Sequence, residues 1–223
     1  MQIIFENELF LVLDKPSGMV VHPFDFSTEE TVLDFLASYC PLTLTIKNEI
    51  TLQDKRVVNL GGIVHKLDRD TSGVLVVAKH IDAFTELKKL FTSQQIQKTY
   101  IALVEGIVAE DTIYIDAPLG RNKKDYKQVA YPENPRGELR DAITNLNVIE
   151  RKESTTLIEL SPKTGRTHQL RAHCAYIKHP IVGDISYGSK TSSARIMLHA
   201  KELSFTLFGE RYSFTSNQTF SNN

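Results

Sequence analysis

The chain has 223 residues, 41% hydrophobic and 24% charged, with a formal net charge of −1, ordinary values for a soluble globular protein. At this length roughly 70% of the unfolded surface can be buried, so a core needs neither disulfide nor structural metal. No apolar run approaches the ~20 residues of a membrane span, and the first ten residues hold two acids and no base, so neither a membrane anchor nor a secretory signal is expected.

In chain order, Ile3–Phe5 and Phe10–Asp14 read as paired strands closed by the turn Lys15-Pro16-Ser17-Gly18. Asp14 beside Lys15-Pro16 reads as a residue that pins this turn. Ser27-Thr28-Glu29-Glu30 has the spacing of a capping box and predicts a helix through Val32, Leu33, Phe35 and Leu36. Residues 41–60 lack a clear period and read as a loop or insertion. Val74–Lys79 is a short apolar strand, and Ile81, Phe84, Leu87, Leu90 and Phe91 recur at helical spacing to about Gln94. Lys98–Val104 alternates as a strand; 118–140 is a polar surface excursion. Ile143–Ile149 and Thr155–Leu160 form a strand pair, and a helix runs from about Thr167 to Lys178, with Thr167 as its N-cap. Three strand-like segments, Ile196–Leu198, Leu203–Phe208 and Tyr212–Phe214, precede a polar tail at 216–223. Strands dominate without regular alternation with helices, which predicts an α+β fold with a largely antiparallel sheet.

The near-zero net charge conceals a gradient. Residues 1–65 hold four basic residues against nine acids; residues 161–195 hold six against the single acid Asp184, and 120–140 hold six against three. Such a basic later surface suits a polyanion, although solvated basic faces would give the same count.

Two clusters could carry chemistry. Gly61–Gly73 encloses His65-Lys66-Leu67-Asp68-Arg69-Asp70-Thr71-Ser72 between apolar segments, a loop position where catalytic residues concentrate. Asp68 and Asp70 there are either an acid/base pair or the Asx residues of a surface turn. Lys163–His173 places His168 and Arg171 three apart on one helical face, as an anion site or as an ordinary amphipathic helix would. Cys40 and Cys174 have no metal-ligand spacing, and His168 and His173 diverge on a helix, so no metal is expected and the free thiols suit a reducing cytoplasm. Lys163-Thr164-Gly165 lacks the accompanying Ser-x-x-Lys of penicillin-recognising enzymes.

Together these segments resemble the RluA-like RNA pseudouridine synthases. Leu13–Pro23 resembles the family's Lys-Pro-x-Gly motif, His65–Gly73 its His-Arg-Leu-Asp-x-x-Thr-Ser-Gly motif, Lys98–Ala102 its Lys-x-Tyr-x-Ala strand, and Gly165–His173 its Gly-Arg-x-His-Gln-Leu-Arg-x-His motif. His179–Asp184 and Leu198–Ala200 follow in the expected order. The resemblance implies the pseudouridine synthase fold, with a central mixed, mostly antiparallel sheet, flanking helices and an active-site cleft. It implies a single catalytic domain over 1–215, with no RNA-binding domain upstream.

By the same resemblance, Asp68 corresponds to the essential aspartate, Tyr100 to the active-site tyrosine, and Arg171 to the basic residue that pairs with that aspartate. His65, Lys66, Arg69, Thr71, Arg166 and His168 are implied to bind substrate. The expected activity is cofactor-independent isomerisation of uridine in structured RNA, ribosomal or transfer, with no membrane and no obligate protein partner. A departure falls at Lys66, where the family has an arginine: lysine keeps the charge but loses the planar fork that pairs or stacks with bases. A non-catalytic RNA-binding or chaperone protein on the same fold is the alternative, and a glycosidase built on Asp68 and Asp70 is a weaker one.

Overall fold

The computed structural model describes residues 1–23, 29–122, 127–132 and 135–218. Two compact units share the chain: one takes Met1–Gln97 and the strands from Ala200 onward, the other Lys98–His199. The first begins with β1 (Gln2–Glu6), β2 (Phe10–Lys15) and α1 (Val32–Tyr39). The short strands β3 (Glu49–Thr51) and β4 (Val57–Asn59) follow, then β5 (Ser72–Ala78) and α2 (Ile81–Thr92). β6 (Gln97–Glu105) opens the second unit, which continues through β7 (Thr112–Asp116), β8 (Leu119–Asn122), β9 (Gln128–Ala130) and β10 (Pro135–Arg140). β11 (Ile143–Arg151), β12 (Thr155–Pro162) and α3 (Gln169–Tyr176) complete it, before β13 (Leu198–Leu207) and β14 (Glu210–Thr215) return to the first.

The fold is α+β and its sheets are mostly antiparallel. In the first unit the strand order is β1-β2-β5-β13, with β14 on β13. The apolar run of β5 is buried on both faces, as a central strand must be. Phe10, Val12, Val74 and Val76 pack with Ala83 and Leu87 of α2 and with Phe205 and Phe214, each large side chain worth about 1.5–3 kcal/mol of burial. In the second unit the order is β6-β12-β11-β7, antiparallel throughout. β12 alternates half-buried and buried residues along its length, and its Ile158 and Leu160 meet Leu170 and Cys174 of α3.

Some details differ from the sequence reading. α1 is capped four residues later than expected: Thr31 accepts from the Asp34 amide and Asp34 accepts from the Thr31 amide. Ser27 and Thr28 of the expected box lie outside the described residues. Residues 41–60 contain a 3₁₀ turn and the hairpin β3–β4, while 118–140 contributes the sheet β10-β8-β9. The cap of α3 is His168, in the left-handed region at φ 53°, rather than Thr167. Ser216, expected to begin a polar tail, is fully buried and donates through Oγ to Asp14 Oδ2 at 2.7 Å. Burial raises the Asp14 carboxyl pKa above the usual range, against the Ser216 hydrogen bond and the nearby Lys201 charge. Among the described residues, no helix is long and apolar enough to cross a membrane.

Candidate active site

The loop that carries Asp68 is held by its main chain. Lys15 ends β2 with its side chain fully buried, and its ammonium donates to Pro16 O at 2.9 Å, Met19 O at 2.7 Å and Arg69 O at 2.9 Å. The Gly18 amide reaches the same Arg69 oxygen at 3.0 Å, and Ser17 Oγ donates to Asp70 O at 2.7 Å. The Thr71 amide closes the turn on Asp68 O. Lys-Pro-Ser-Gly is thus a clamp on the peptides after Asp68, and Asp68 itself is half-buried. Gly73 lets β5 start close by: at φ 115° it would place a Cβ 2.1 Å from Ala200 O, which no L side chain tolerates.

Lys15→Met should therefore strand several carbonyls at once. We expect a loss on the order of 3 kcal/mol, read as a lowered denaturation midpoint, together with weaker activity. A variant as stable as wild type would show that the clamp contributes little.

The other expected site residues of this loop have distinct surroundings. His65 Nε2 accepts the Val76 amide at 3.0 Å and its ring stacks on Phe91, centroids 4.4 Å apart; this places the ring proton on Nδ1. Thr71 is buried. Arg69 reaches Glu29 at 2.8 Å, with both side chains largely exposed, a pairing of little energetic weight. Lys66 is exposed.

In the second unit, Tyr100 lies half-buried on β6 and packs against the core that contains Leu170 and Cys174. Arg171 of α3 is buried and makes a bidentate pair with Asp184, Nε to Oδ2 at 2.6 Å and Nη2 to Oδ1 at 2.9 Å. Its guanidinium also lies 4.8 Å from the Tyr187 ring centroid. Tyr187 in turn meets His168 Nδ1 at 3.1 Å, and Arg166 Nε donates to Asp141 O at 3.0 Å. Burial next to Asp184 pushes the Cys174 thiol up to about 12, burial being the larger cause, so this cysteine is a core residue and not a nucleophile.

Two residues that the sequence reading passed over organise this region. Asp184 is one; its signal was its isolation as the single acid among six bases. Gln169 is the other, a buried amide with every hydrogen-bonding position used. Its Oε1 accepts from Thr164 Oγ1 and the Arg166 amide, and its Nε2 donates to Ile143 O and Thr144 Oγ1. It ties the turn before α3 to β11. His173 serves the interior as well, between Thr144 Oγ1 and Ala117 O, and burial lowers its pKa.

Comparison with known proteins bears on the family and the fold. The profile described as RNA pseudouridylate synthase matches residues 9–176. The uncharacterized RNA pseudouridine synthase YlyB of Bacillus subtilis is 36% identical over 190 residues, covering 85% of this chain and 58% of that protein. The ribosomal large subunit pseudouridine synthase D of Nitrosomonas europaea is 35% identical over 216 residues, 92% of this chain and 58% of its own. The chain thus spans a little over half the length of these curated relatives. Among solved structures, human RNA pseudouridylate synthase domain containing 1 superposes with a TM-score of 0.78 at 26% identity, covering 97% of this chain and 82% of that one.

Proposed function

The chain belongs to the RNA pseudouridylate synthase family, and from that membership we propose that it isomerises uridine to pseudouridine in RNA, with residues 1–215 acting as one catalytic domain and Asp68 as nucleophile. The observation that carries this reading is the clamp: a carboxylate stands on a loop whose neighbouring peptides are fixed by Lys15, Ser17 and Gly18. Fixed placement of a reacting group is what such chemistry rewards.

The reaction breaks the bond from ribose C1′ to N1 of uracil and forms one from C1′ to C5. The C5 proton is lost and N1 gains one, with no net redox change and no cofactor required. Asp68 attacks C1′ as the carboxylate while the bond to N1 breaks, and it leaves again as a carboxylate when C5 of the turned uracil attacks C1′. Tyr100 offers a flat face for the uracil and a hydroxyl for the proton from C5. The family resemblance assigns Arg171 as the basic residue of this chemistry, and its guanidinium is oriented by Asp184. His65, Lys66, Arg69, Thr71, Arg166 and His168 serve the substrate, some directly and some by holding the loops. Large-subunit ribosomal RNA is the substrate we favour, because several relatives are named for it.

Transcripts of large-subunit ribosomal RNA and of transfer RNA, tritiated at uridine C5, provide the test. Release of tritium with no free base is the expected result, from ribosomal transcripts in preference to transfer RNA. Released uracil would indicate a glycosidase, and bound but unchanged RNA a non-catalytic binder.

A further inference from the structure

The start of α3 breaks a local rule. Thr167 could cap the helix through its hydroxyl, yet the cap is His168, whose side chain makes no capping hydrogen bond and whose φ of 53° is left-handed. An L residue keeps that conformation only where its surroundings hold it there, and such departures concentrate at functional sites. The His168 ring is committed elsewhere. Its Nδ1 pairs with the Tyr187 hydroxyl at 3.1 Å, and the two rings meet edge to face with centroids 5.8 Å apart. The same tyrosine carries the Arg171 guanidinium over its ring, 4.8 Å from the centroid, while Asp184 holds that guanidinium by its edge. Both partners of Arg171 come from one 3₁₀ turn, Ile185–Tyr187 with Asp184 at its cap, in which residues three apart lie above one another. The turn is anchored as well: the Tyr187 and Ser189 amides donate to Asp184 O at 3.0 and 3.1 Å, and Ser189 Oγ donates to Glu105 Oε1 at 2.7 Å.

We propose that Tyr187 is a positioning residue of the active site, fixing His168 through its hydroxyl and Arg171 through the face of its ring. The proposal rests on the isomerase reading above and adds to it a residue that acts through two others. Each contact has its own consequence. The hydroxyl sets how the imidazole is presented to RNA, and a hydrogen bond at Nδ1 also governs the proton on the other ring nitrogen. The ring supports a buried guanidinium whose edge is taken by Asp184, so the arginine keeps one plane during turnover. Tyr187 also packs on the cluster of Leu119, Ala142 and Ala172. A tyrosine that served this packing alone would lose stability on replacement and leave RNA affinity of the folded protein unchanged. A positioning tyrosine loses affinity and rate in separable amounts.

The test separates hydroxyl from ring in the full chain, with enzyme in excess over the tritiated ribosomal transcript. Tyr187→Phe keeps the packing and the ring beneath Arg171 and removes only the hydroxyl. It should raise the half-saturating enzyme concentration about tenfold and leave the saturated rate within about twofold of wild type. His168→Gly, which accepts a left-handed φ, should act alike, and the double variant should be no worse than either. Tyr187→Met fills similar space without a flat face and should lower the saturated rate about tenfold further. In variants that melt with wild type, additive losses or an unchanged half-saturation overturn the part assigned to the hydroxyl. Equal saturated rates for the Phe and Met variants overturn the part assigned to the ring. Should either tyrosine variant not fold, His168→Gly alone must raise half-saturation about tenfold, and an unchanged value overturns the proposal. Filter retention of the same transcript distinguishes the two readings. Coupled binding losses without tritium release by wild type keep the positioning role and remove the isomerase reading; release without coupling does the reverse.

Discussion

Asp68→Asn will abolish pseudouridine formation and leave RNA binding intact. Asparagine matches aspartate in size, and the hydrogen bonds that Lys15, Ser17, Gly18 and Thr71 make to residues 68–70 run to main-chain oxygens. The substitution removes charge and nucleophilicity and leaves those main-chain hydrogen bonds in place. A fall in single-turnover rate on the order of 10⁴-fold or more is expected for loss of a nucleophile, measured as tritium release at saturating enzyme. Filter retention of the same RNA should match wild type. Near wild-type release would exclude Asp68 as nucleophile, whereas lost binding with lost release would make it a binding residue.

Asp184→Asn will produce the largest loss of stability among single polar substitutions in the second unit. The carboxylate has no exposed surface and Arg171 little, so removing the charge takes from a desolvated guanidinium the carboxylate that it holds with two hydrogen bonds. Breaking such a pair costs about 3–5 kcal/mol, or roughly 10 °C in melting temperature for a chain of this size. A paired replacement separates folding from function. Arg171→Met with Asp184→Leu removes both charges together, which is often neutral for stability, so it should melt near wild type yet remain inactive. Recovery of activity in the double variant would show that Arg171 serves only the fold. An Asp184→Asn protein as stable as wild type would show that the pair contributes nothing.

The sequence disclosed most of this fold wherever a single period dominated. The apolar run of β5, the alternation of β6 and β12, and the helical spacing from Ile81 to Phe91 all translate directly into elements. β7 escaped notice because Thr112–Asp116 is flanked by acids and mostly exposed, an edge strand with little apolar pattern to read. The hairpin β3–β4 escaped because strands of three residues are too short to show a period. At α1, two Ser/Thr-x-x-acid spacings compete four residues apart, and nothing in the sequence alone ranks Thr31 above Ser27.

The chemistry divides similarly. Asp68, Tyr100 and Arg171 were legible through motifs, but the groups that hold these regions were not. Lys15 looks like a turn residue until its ammonium is seen among three carbonyls. Asp184 looks like a stray acid until Arg171 is found against it. Long-range partners of this kind leave no local period.

The bond between Ser216 and Asp14 joins residues 202 positions apart, and β13 and β14 complete a unit begun by β1 and β2. During synthesis, Lys98–His199 is therefore a continuous stretch that has all its own strands while the first unit still lacks two. Because contacts of long sequence separation form slowly, the Asp68 clamp assembles on a scaffold whose last pieces leave the ribosome after the Tyr100 and Arg171 region is already complete. A chain that has left the exit tunnel only as far as His199 would thus carry a folded second unit and an unfinished first, with the inward faces of β2 and β5 exposed to chaperones.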